Sequence, residues 1–111
     1  MSKKTSLDNT QATETGERIS MGLQIGVFDN GFVFVGQVFL VNDESGQWVE
    51  FINGYNVRSY GTTNGLSQLA ASGPLSETKL DKIEGLLKCV RGRLNFFMEC
   101  NKEQWQKLYP V

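Results

Sequence analysis

Residues 32–41 form a run with apolar side chains at both odd and even positions, and this run constrains the fold more than any other feature. Its valines and phenylalanines favour an extended strand. A strand that is apolar on both faces needs cover on both, which predicts a central position in a sheet or a place in a barrel. Gly36 interrupts the run and predicts a bulge or bend.

Turn signals on both sides of this run predict an antiparallel meander with short connections. Asp29-Asn30-Gly31 precedes the run and residues 42–46 follow it, and Asn and Gly accept positive φ at low cost. Asn53-Gly54 is the dipeptide best suited to a two-residue hairpin turn. Strands are predicted from these turns at residues 19–28, 32–41, 47–52 and 55–60.

A further strand is predicted near the end of the chain. Residues 75–85 are polar and loop-like, whereas residues 86–100 return to strand character and are kinked at Gly92. Alternation within this strand predicts a core face. Its members are Leu94, Phe96, Met98 and Cys100.

Two short helices are predicted beside the strands. The first has Thr62 or Thr63 as its N-cap, an apolar face at helical spacing, and Gly73-Pro74 at its end. The second is capped by Asn101 and docks Trp105 against the sheet. The predicted fold is therefore α+β: a curved antiparallel β-meander or partial barrel of about five strands with two short helices.

Residues 1–18 differ from the rest of the chain in composition. They are rich in Lys, Thr, Ser, Asp, Asn and Glu, and Leu7 is their only large apolar residue after Met1. Such a segment buries too little apolar surface to offset the entropy cost of ordering it. We therefore expect a disordered polar tail over residues 1–18 and a single small β-rich domain over residues 19–111.

Charge and hydropathy argue against several kinds of partner. The formal net charge is -1, which disfavours binding to duplex DNA. No apolar run approaches the roughly 20 residues of a membrane span, so no membrane partner is expected. Because no signal-peptide pattern opens the sequence either, we expect a cytoplasmic location.

Cysteine and histidine usage narrows the chemistry. The chain has two cysteines and no histidine, which argues against a zinc site and excludes histidine as a general acid or base. We therefore expect no catalytic residues, no cofactor and no bound metal. Cys89 and Cys100 are expected to be small buried apolar residues rather than a disulfide or reactive thiols.

The stretch from Arg58 to Asn64 is the candidate ligand site. Arg58 and Tyr60 are two residues apart on a strand and share one face. The helix that follows presents unpaired backbone N–H groups, and Thr62, Thr63 and Asn64 add hydroxyl and amide groups. A cation, an aromatic face and several donors at one place predict a site for a phosphate or nucleotide.

Each of these residues also has a structural interpretation. Arg58 could lay its aliphatic stem over Val49, its expected partner across the predicted hairpin, with the charged head in water. Tyr60 could pack rather than stack on a ligand. Lys88, Arg91 and Arg93 could form a small basic patch, but charge at a solvated sheet edge is the better explanation, because edges use charge to resist aggregation.

The segment from Asn56 to Pro74, with Thr78-Lys79-Leu80-Asp81 behind it, resembles a family of small uncharacterised proteins of phages and mobile elements. The shared pattern is an arginine–aromatic–glycine step, a Leu-x-x-Leu-Ala helix, and a last strand ending near Cys100 before Trp105. The resemblance covers about residues 31–106. The aromatic is usually Trp in that family and is Tyr60 here.

This resemblance implies a setting in which small proteins act by binding. We expect a non-enzymatic accessory protein of host cytoplasm that sequesters a small anionic nucleotide-type ligand, such as a host-defence signal. A homo-oligomer is expected, because two short helices cannot cover both faces of the sheet and Trp48 and Ile52 look exposed. The alternatives are a protein-binding inhibitor or regulator of a host factor, using a sheet edge or aromatic patch, and a single-stranded nucleic-acid binder.

Overall fold

The computed structural model describes residues 16–110, which form an open antiparallel sheet of six strands with one α-helix. The strands are β1 Glu17–Phe28, β2 Val33–Asp43, β3 Gly46–Ser59, β4 Lys79–Lys82, β5 Leu87–Val90 and β6 Leu94–Glu99. The helix α1 spans Leu66–Ser72, and a 3-10 turn at Arg91–Arg93 joins β5 to β6.

The sheet is built around the predicted meander of β1, β2 and β3. Its order is β4-β3-β2-β1-β6, and β5 also pairs with β3. β4 lies beside residues 55–59 of β3, and β5 lies beside residues 48–51. One long strand therefore has two different neighbours along the same edge.

The β-rich antiparallel fold is confirmed, with two differences in its elements. The sheet is open and has six strands, because Lys79–Lys82 pairs with β3 inside a segment predicted as loop. The second predicted helix is replaced by consecutive turns over residues 102–108. Asn101 still caps this segment, since its side-chain oxygen accepts the backbone N–H groups of Glu103 and Gln104.

The predicted hairpin at Asn53-Gly54 is wrong, because β3 runs straight through it. Ile52 pairs with Gln37 and Tyr55 pairs with Val35, so Asn53 and Gly54 together oppose Gly36 in a β-bulge. Asn53 has φ 54°, a left-handed backbone conformation that Asn adopts more readily than most residues, in bulges as well as in turns. The predicted irregularity at Gly36 is confirmed, and a Cβ there would meet the Gly54 Cα at 3.2 Å.

Arg58 therefore has a different cross-strand environment from the one predicted. Val49 pairs with Leu40 on one side and Cys89 on the other, so it does not lie opposite Arg58. The ladder between β3 and β4 is irregular between Val57 and Ser59, at Arg58 itself. Packing of Arg58 over Val49 is thus excluded by the register of β3.

The last strand is interrupted and changes register within itself. Gly92 lies in the 3-10 turn rather than at a kink of one continuous strand. Phe96 pairs with Val27 and Leu94 pairs with Phe28, which leaves Asn95 as an extra residue. A one-residue slip reverses the sheet faces to which side chains point, so Leu94 packs against a different core cluster from Met98. Phe96, predicted to be on the core face, is exposed.

The buried apolar residues form two clusters, one on each face of the sheet. The first face is covered by α1 and the C-terminal turns. Its cluster comprises Leu23, Ile25, Val33, Val35, Val57, Leu69, Ala70, Cys100, Trp105 and Tyr109. The cluster on the second face comprises Phe28, Val38, Val49 and Phe51, with Phe34, Leu87, Leu94 and Phe97 packed against it.

The predicted polar tail lies almost entirely outside the described residues. Glu17 and Arg18, its last two predicted residues, belong to β1 and pair with Asn42 and Val41. Arg18 also forms an ion pair with Glu50. The start of β1 is therefore set by contacts with residues far away in the sequence, and such contacts cannot be inferred from amino-acid composition.

Candidate functional site

The structure places Arg58 in an exposed ion pair at the β3–β4 edge. One of its guanidinium nitrogens donates to the carboxylate of Asp81, and the two side chains are 64% and 57% exposed. Leu80 packs on the first-face cluster, so alternation along β4 puts Asp81 on the opposite face. The charge predicted to receive a phosphate is thus paired within the chain.

The segment after Arg58 is held against the loop before β4. The Tyr60 carbonyl accepts a hydrogen bond from the Thr78 hydroxyl at 2.7 Å, while the residue is 37% exposed. Gly61 has φ +67°, and a Cβ there would lie well under 3.0 Å from the backbone of Glu77 and Thr78. Glycine is needed here because two backbones touch.

Thr62, Thr63 and Asn64 make hydrogen bonds within their own loop. The Thr62 hydroxyl donates to the Gly65 carbonyl at 2.7 Å. The Gln68 side-chain oxygen accepts from the Thr63 hydroxyl and from the Asn64 backbone N–H. The N-cap prediction is wrong: Gly65, at φ 78°, precedes α1 and has no side-chain capping bond.

Four of the predicted residues are exposed, Thr62 is half-buried, and none of the five lines the cleft on the first face. This cleft has a volume of about 810 Å³, and Tyr55, Thr78, Leu80 and Lys107 are among its lining residues. Thr78 links this cleft to the Tyr60 backbone. Nucleotide binding at the Arg58–Asn64 segment stays a prediction, and it requires these groups to exchange their present partners.

A second candidate site lies on the half of the first face that α1 and the C-terminal turns leave uncovered. Cross-strand pairs Phe39–Glu50, Val41–Trp48 and Trp48–Val90 put their side chains together there. Val90 is 51% exposed, and the two aromatic residues are half-buried. We call this surface the Trp48 platform; it consists of Phe39, Val41, Trp48, Ile52 and Val90.

Two cations lie on the aromatic rings of the Trp48 platform. The guanidinium carbon of Arg18 is 3.9 Å from the centroid of Phe39, and the Lys88 ammonium is 4.7 Å from that of Trp48. Both distances are within the range of cation–π attraction. Glu50 is largely buried between them and accepts from Arg18 at 3.1 Å.

The Trp48 ring is also held by a chain of hydrogen bonds. Its indole N–H donates to the Ser45 hydroxyl at 2.9 Å, and that hydroxyl donates to the Asp43 carboxylate. The bonds from Ser45 lower the pKa of Asp43 below its ordinary value of 3.8. This chain of hydrogen bonds orients the indole through Ser45.

The sequence alone indicated only part of the platform. Alternation along the strand predicted at residues 47–52 puts Trp48, Glu50 and Ile52 on one face, and the register confirms this. The expected exposure of Trp48 and Ile52 is wrong, since both are half-buried. Arg18 and Lys88 were missed, because their contacts join residues far apart in the chain. The sequence signal that could have indicated the platform was Trp48 beside Glu50 on one face of a strand, with the core residues Val49 and Phe51 on the other face.

The two cysteines are free and belong to different core clusters. Cys100 is buried on the first face, and Cys89 is half-buried on the second. Burial raises the pKa of both thiols, and that of Cys100 reaches about 12 with a further contribution from Glu99. Cys100 therefore occupies the buried apolar position expected of it, whereas Cys89 is only half-buried.

We expect the buried Cys100 thiol to make the protein less stable in alkali. Its pKa is raised on folding, so stability is unaffected below pH 9.0, its ordinary value, and falls as pH rises towards about 12, because only the unfolded chain ionises readily. Urea unfolding across this pH range should show that the free energy of unfolding falls more steeply with pH for wild type than for Cys100→Ala. Equal slopes would contradict the prediction.

Among residues 16–110 there is no group of three or more Cys, Asp or Glu side chains that could hold a metal ion. None of the helical structure in this part of the chain is long and apolar enough to cross a membrane. No protein family model, curated protein or solved structure matches this chain.

Proposed function

We propose that this chain is a non-catalytic protein that binds another protein through the Trp48 platform and inhibits or regulates it. The observation that carries the proposal is the half-buried Trp48 ring on a part of the sheet that no other element within residues 16–110 covers. Trp and Arg are enriched among the residues that dominate binding energy in protein interfaces. Apolar patches rimmed by polar groups are typical of such interfaces.

The charges around the platform define the partner surface that fits it. Arg18 and Lys88 carry positive charge at its rim, and Glu50 is the carboxylate that lies between them. With Asp43, which is linked to the Trp48 indole through Ser45, the rim carries two cations and two carboxylates. This arrangement favours a partner surface with charged groups of both signs around apolar side chains at its centre. A phage origin, expected from the resemblance, would make that partner a host protein.

The proposal is tested by quantitative affinity capture from the cells that carry the gene. The baits are wild type, Trp48→Ser and Lys88→Glu, with Leu75→Ser as a control for an exposed apolar residue elsewhere. Loss of a hot-spot contact worth about 2 kcal/mol weakens binding roughly thirtyfold. A partner kept by the control and lost by both platform variants supports the proposal. Identical capture by all four proteins contradicts it.

An anionic nucleotide-type ligand at the Arg58–Asn64 segment is the second candidate. The observation favouring it is the exposure of the Arg58 guanidinium and, in the segment that follows it, of Thr63 and Asn64. A ligand phosphate would replace Asp81, since an arginine can donate two parallel bonds to phosphate. Mass spectrometry of ligand released from denatured protein separates this candidate from the first.

Arg58→Ala is expected to change the free energy of unfolding by less than about 0.5 kcal/mol, because exposed ion pairs contribute little. Asp81→Ala is the matched variant and should behave alike. If a cyclic dinucleotide or ADP-ribose-type compound raises the thermal midpoint of wild type, Arg58→Ala should abolish that rise and Arg58→Lys restore part of it. Unfolding of the domain by Arg58→Ala would make the residue structural.

A further inference from the structure

The two edges of the sheet differ in how they are protected against pairing with another strand. β4, at one edge, has four residues of which three are charged, and β5 is equally short. β6, at the other edge, has six residues, Leu-Asn-Phe-Phe-Met-Glu, and Glu99 is its only charge. Short charged edges resist pairing, whereas a longer apolar edge promotes it.

The outer side of β6 has free backbone groups in known positions. The N–H of Cys100 donates to the Leu23 carbonyl at 3.0 Å, so it points towards β1. The direction of the backbone groups alternates along a strand. The N–H and C=O groups of Met98 and Phe96 therefore also point towards β1, whereas those of Phe97 and Glu99 point outwards. β6 ends the strand order, so no described strand receives these groups.

From this edge we infer that two copies of the chain pair through β6 in an antiparallel, two-fold symmetric dimer. A two-fold axis at Phe97 pairs this residue with its own copy through both outward backbone groups. The same register places the exposed side chain of Phe96 against Met98 of the second copy. The result is a continuous sheet of twelve strands, twice the six of one chain.

Charge supports this register over one centred on Glu99. With the axis at Phe97, Glu99 of one copy lies opposite Asn95 of the other. The two Glu99 carboxylates are then kept apart. Moving the axis towards Glu99 would bring the carboxylates together, which is unfavourable.

The apolar content of the edge supports self-association rather than a charged partner. Phe96 is 46% exposed beside the partly buried Met98, and both lie on the first face. Pairing would bury this phenylalanine against an apolar side chain from the second copy. The dimer is independent of the Trp48 platform, which lies along β2, β3 and β5.

The dimer is tested on the full chain by sedimentation equilibrium at micromolar concentrations. Wild type should have twice the monomer mass. Phe96→Lys places a charge at the interface, and Glu99→Pro removes an outward N–H, which an edge strand tolerates. Both variants should be monomeric. Leu86→Lys, at an exposed position next to β5 and far from the β6 edge, should remain dimeric.

Amide hydrogen exchange gives a second measurement that does not depend on the variants folding. In the wild-type dimer the amides of Phe97 and Glu99 should exchange slowly, and dilution should accelerate them at least tenfold. In a monomer both amides face water and exchange rapidly. A monomeric wild type, or rapid exchange of both amides at high concentration, overturns the inference.

Discussion

Replacing Trp105 by alanine should lower the free energy of unfolding by about 3–5 kcal/mol, the range for removing a large buried aromatic side chain. Trp105 is fully buried in the first-face cluster, and its indole N–H donates to the Ala70 carbonyl at 3.0 Å. It therefore ties the C-terminal turns to α1. Urea unfolding followed by circular dichroism measures the loss.

Two further variants separate packing from hydrogen bonding at this position. Trp105→Phe keeps most of the ring volume, and the Ala70 carbonyl still accepts the Asn101 N–H at 3.0 Å, so the loss should be about 1–2 kcal/mol. Trp48→Ala removes a half-buried tryptophan and should cost less than Trp105→Ala. A loss of under about 1 kcal/mol for Trp105→Ala would show that the cluster does not depend on it.

Gly73→Ala should cost more than about 3 kcal/mol, and Gly65→Ala should cost about 1–3 kcal/mol. Both glycines flank α1 and have nearly equal positive φ, +76° and +78°. A Cβ on Gly73 would lie well under 3.0 Å from the Gln104 carbonyl, whereas a Cβ on Gly65 would meet nothing within 4 Å. The difference isolates the steric contact from the cost of the backbone conformation.

Equilibrium unfolding in urea of the two variants beside wild type measures that difference. Equal losses would mean that the Gln104 turn moves away freely and does not hold α1. A greater loss for Gly65→Ala would contradict the argument entirely. Gly85→Ala, with φ +80° and open surroundings, supplies a further control outside the helix.

The strands of the meander were predictable because their signal is local. The strand predicted at residues 19–28 is β1 Glu17–Phe28, and the one at residues 32–41 is β2 Val33–Asp43. Apolar β-branched runs and flanking turn residues suffice for such elements. The β-bulge opposite Gly36 was also signalled, since a glycine inside a strand marks a close approach of backbones.

The failures concern features that depend on the neighbouring strand. Asn53-Gly54 has the chemistry of a hairpin turn, and only pairing of both flanking segments with β2 makes it a bulge. The polar segment Lys79–Lys82 became a strand because the edge of β3 was free to accept it. The slip at Asn95 is likewise set by β1 and reversed the predicted faces.

The candidate sites likewise combine features that one strand alone predicts with features that depend on distant residues. The shared face of Trp48 and Ile52 followed from alternation in one strand, but their half-burial did not. The pairing of Arg58 with Asp81 joins two segments across a loop, so sequence spacing could not reveal it. Hydrogen bonds within residues 62–68 were closer in sequence, yet they replaced the predicted helix cap.

The bulge in β3 also determines where the length of this chain can change. Val49, Phe51, Tyr55 and Val57 are all odd-numbered, yet the first two pack on the second face and the last two on the first. The extra residue at the bulge produces this switch. Deleting it would send two apolar side chains to the wrong face, whereas an insertion at Glu44-Ser45 would disturb the hydrogen bonds of Ser45 but leave the faces of β2 and β3 unchanged. Any relatives of this chain should therefore keep the spacing from Phe51 to Tyr55 and vary in length at that turn.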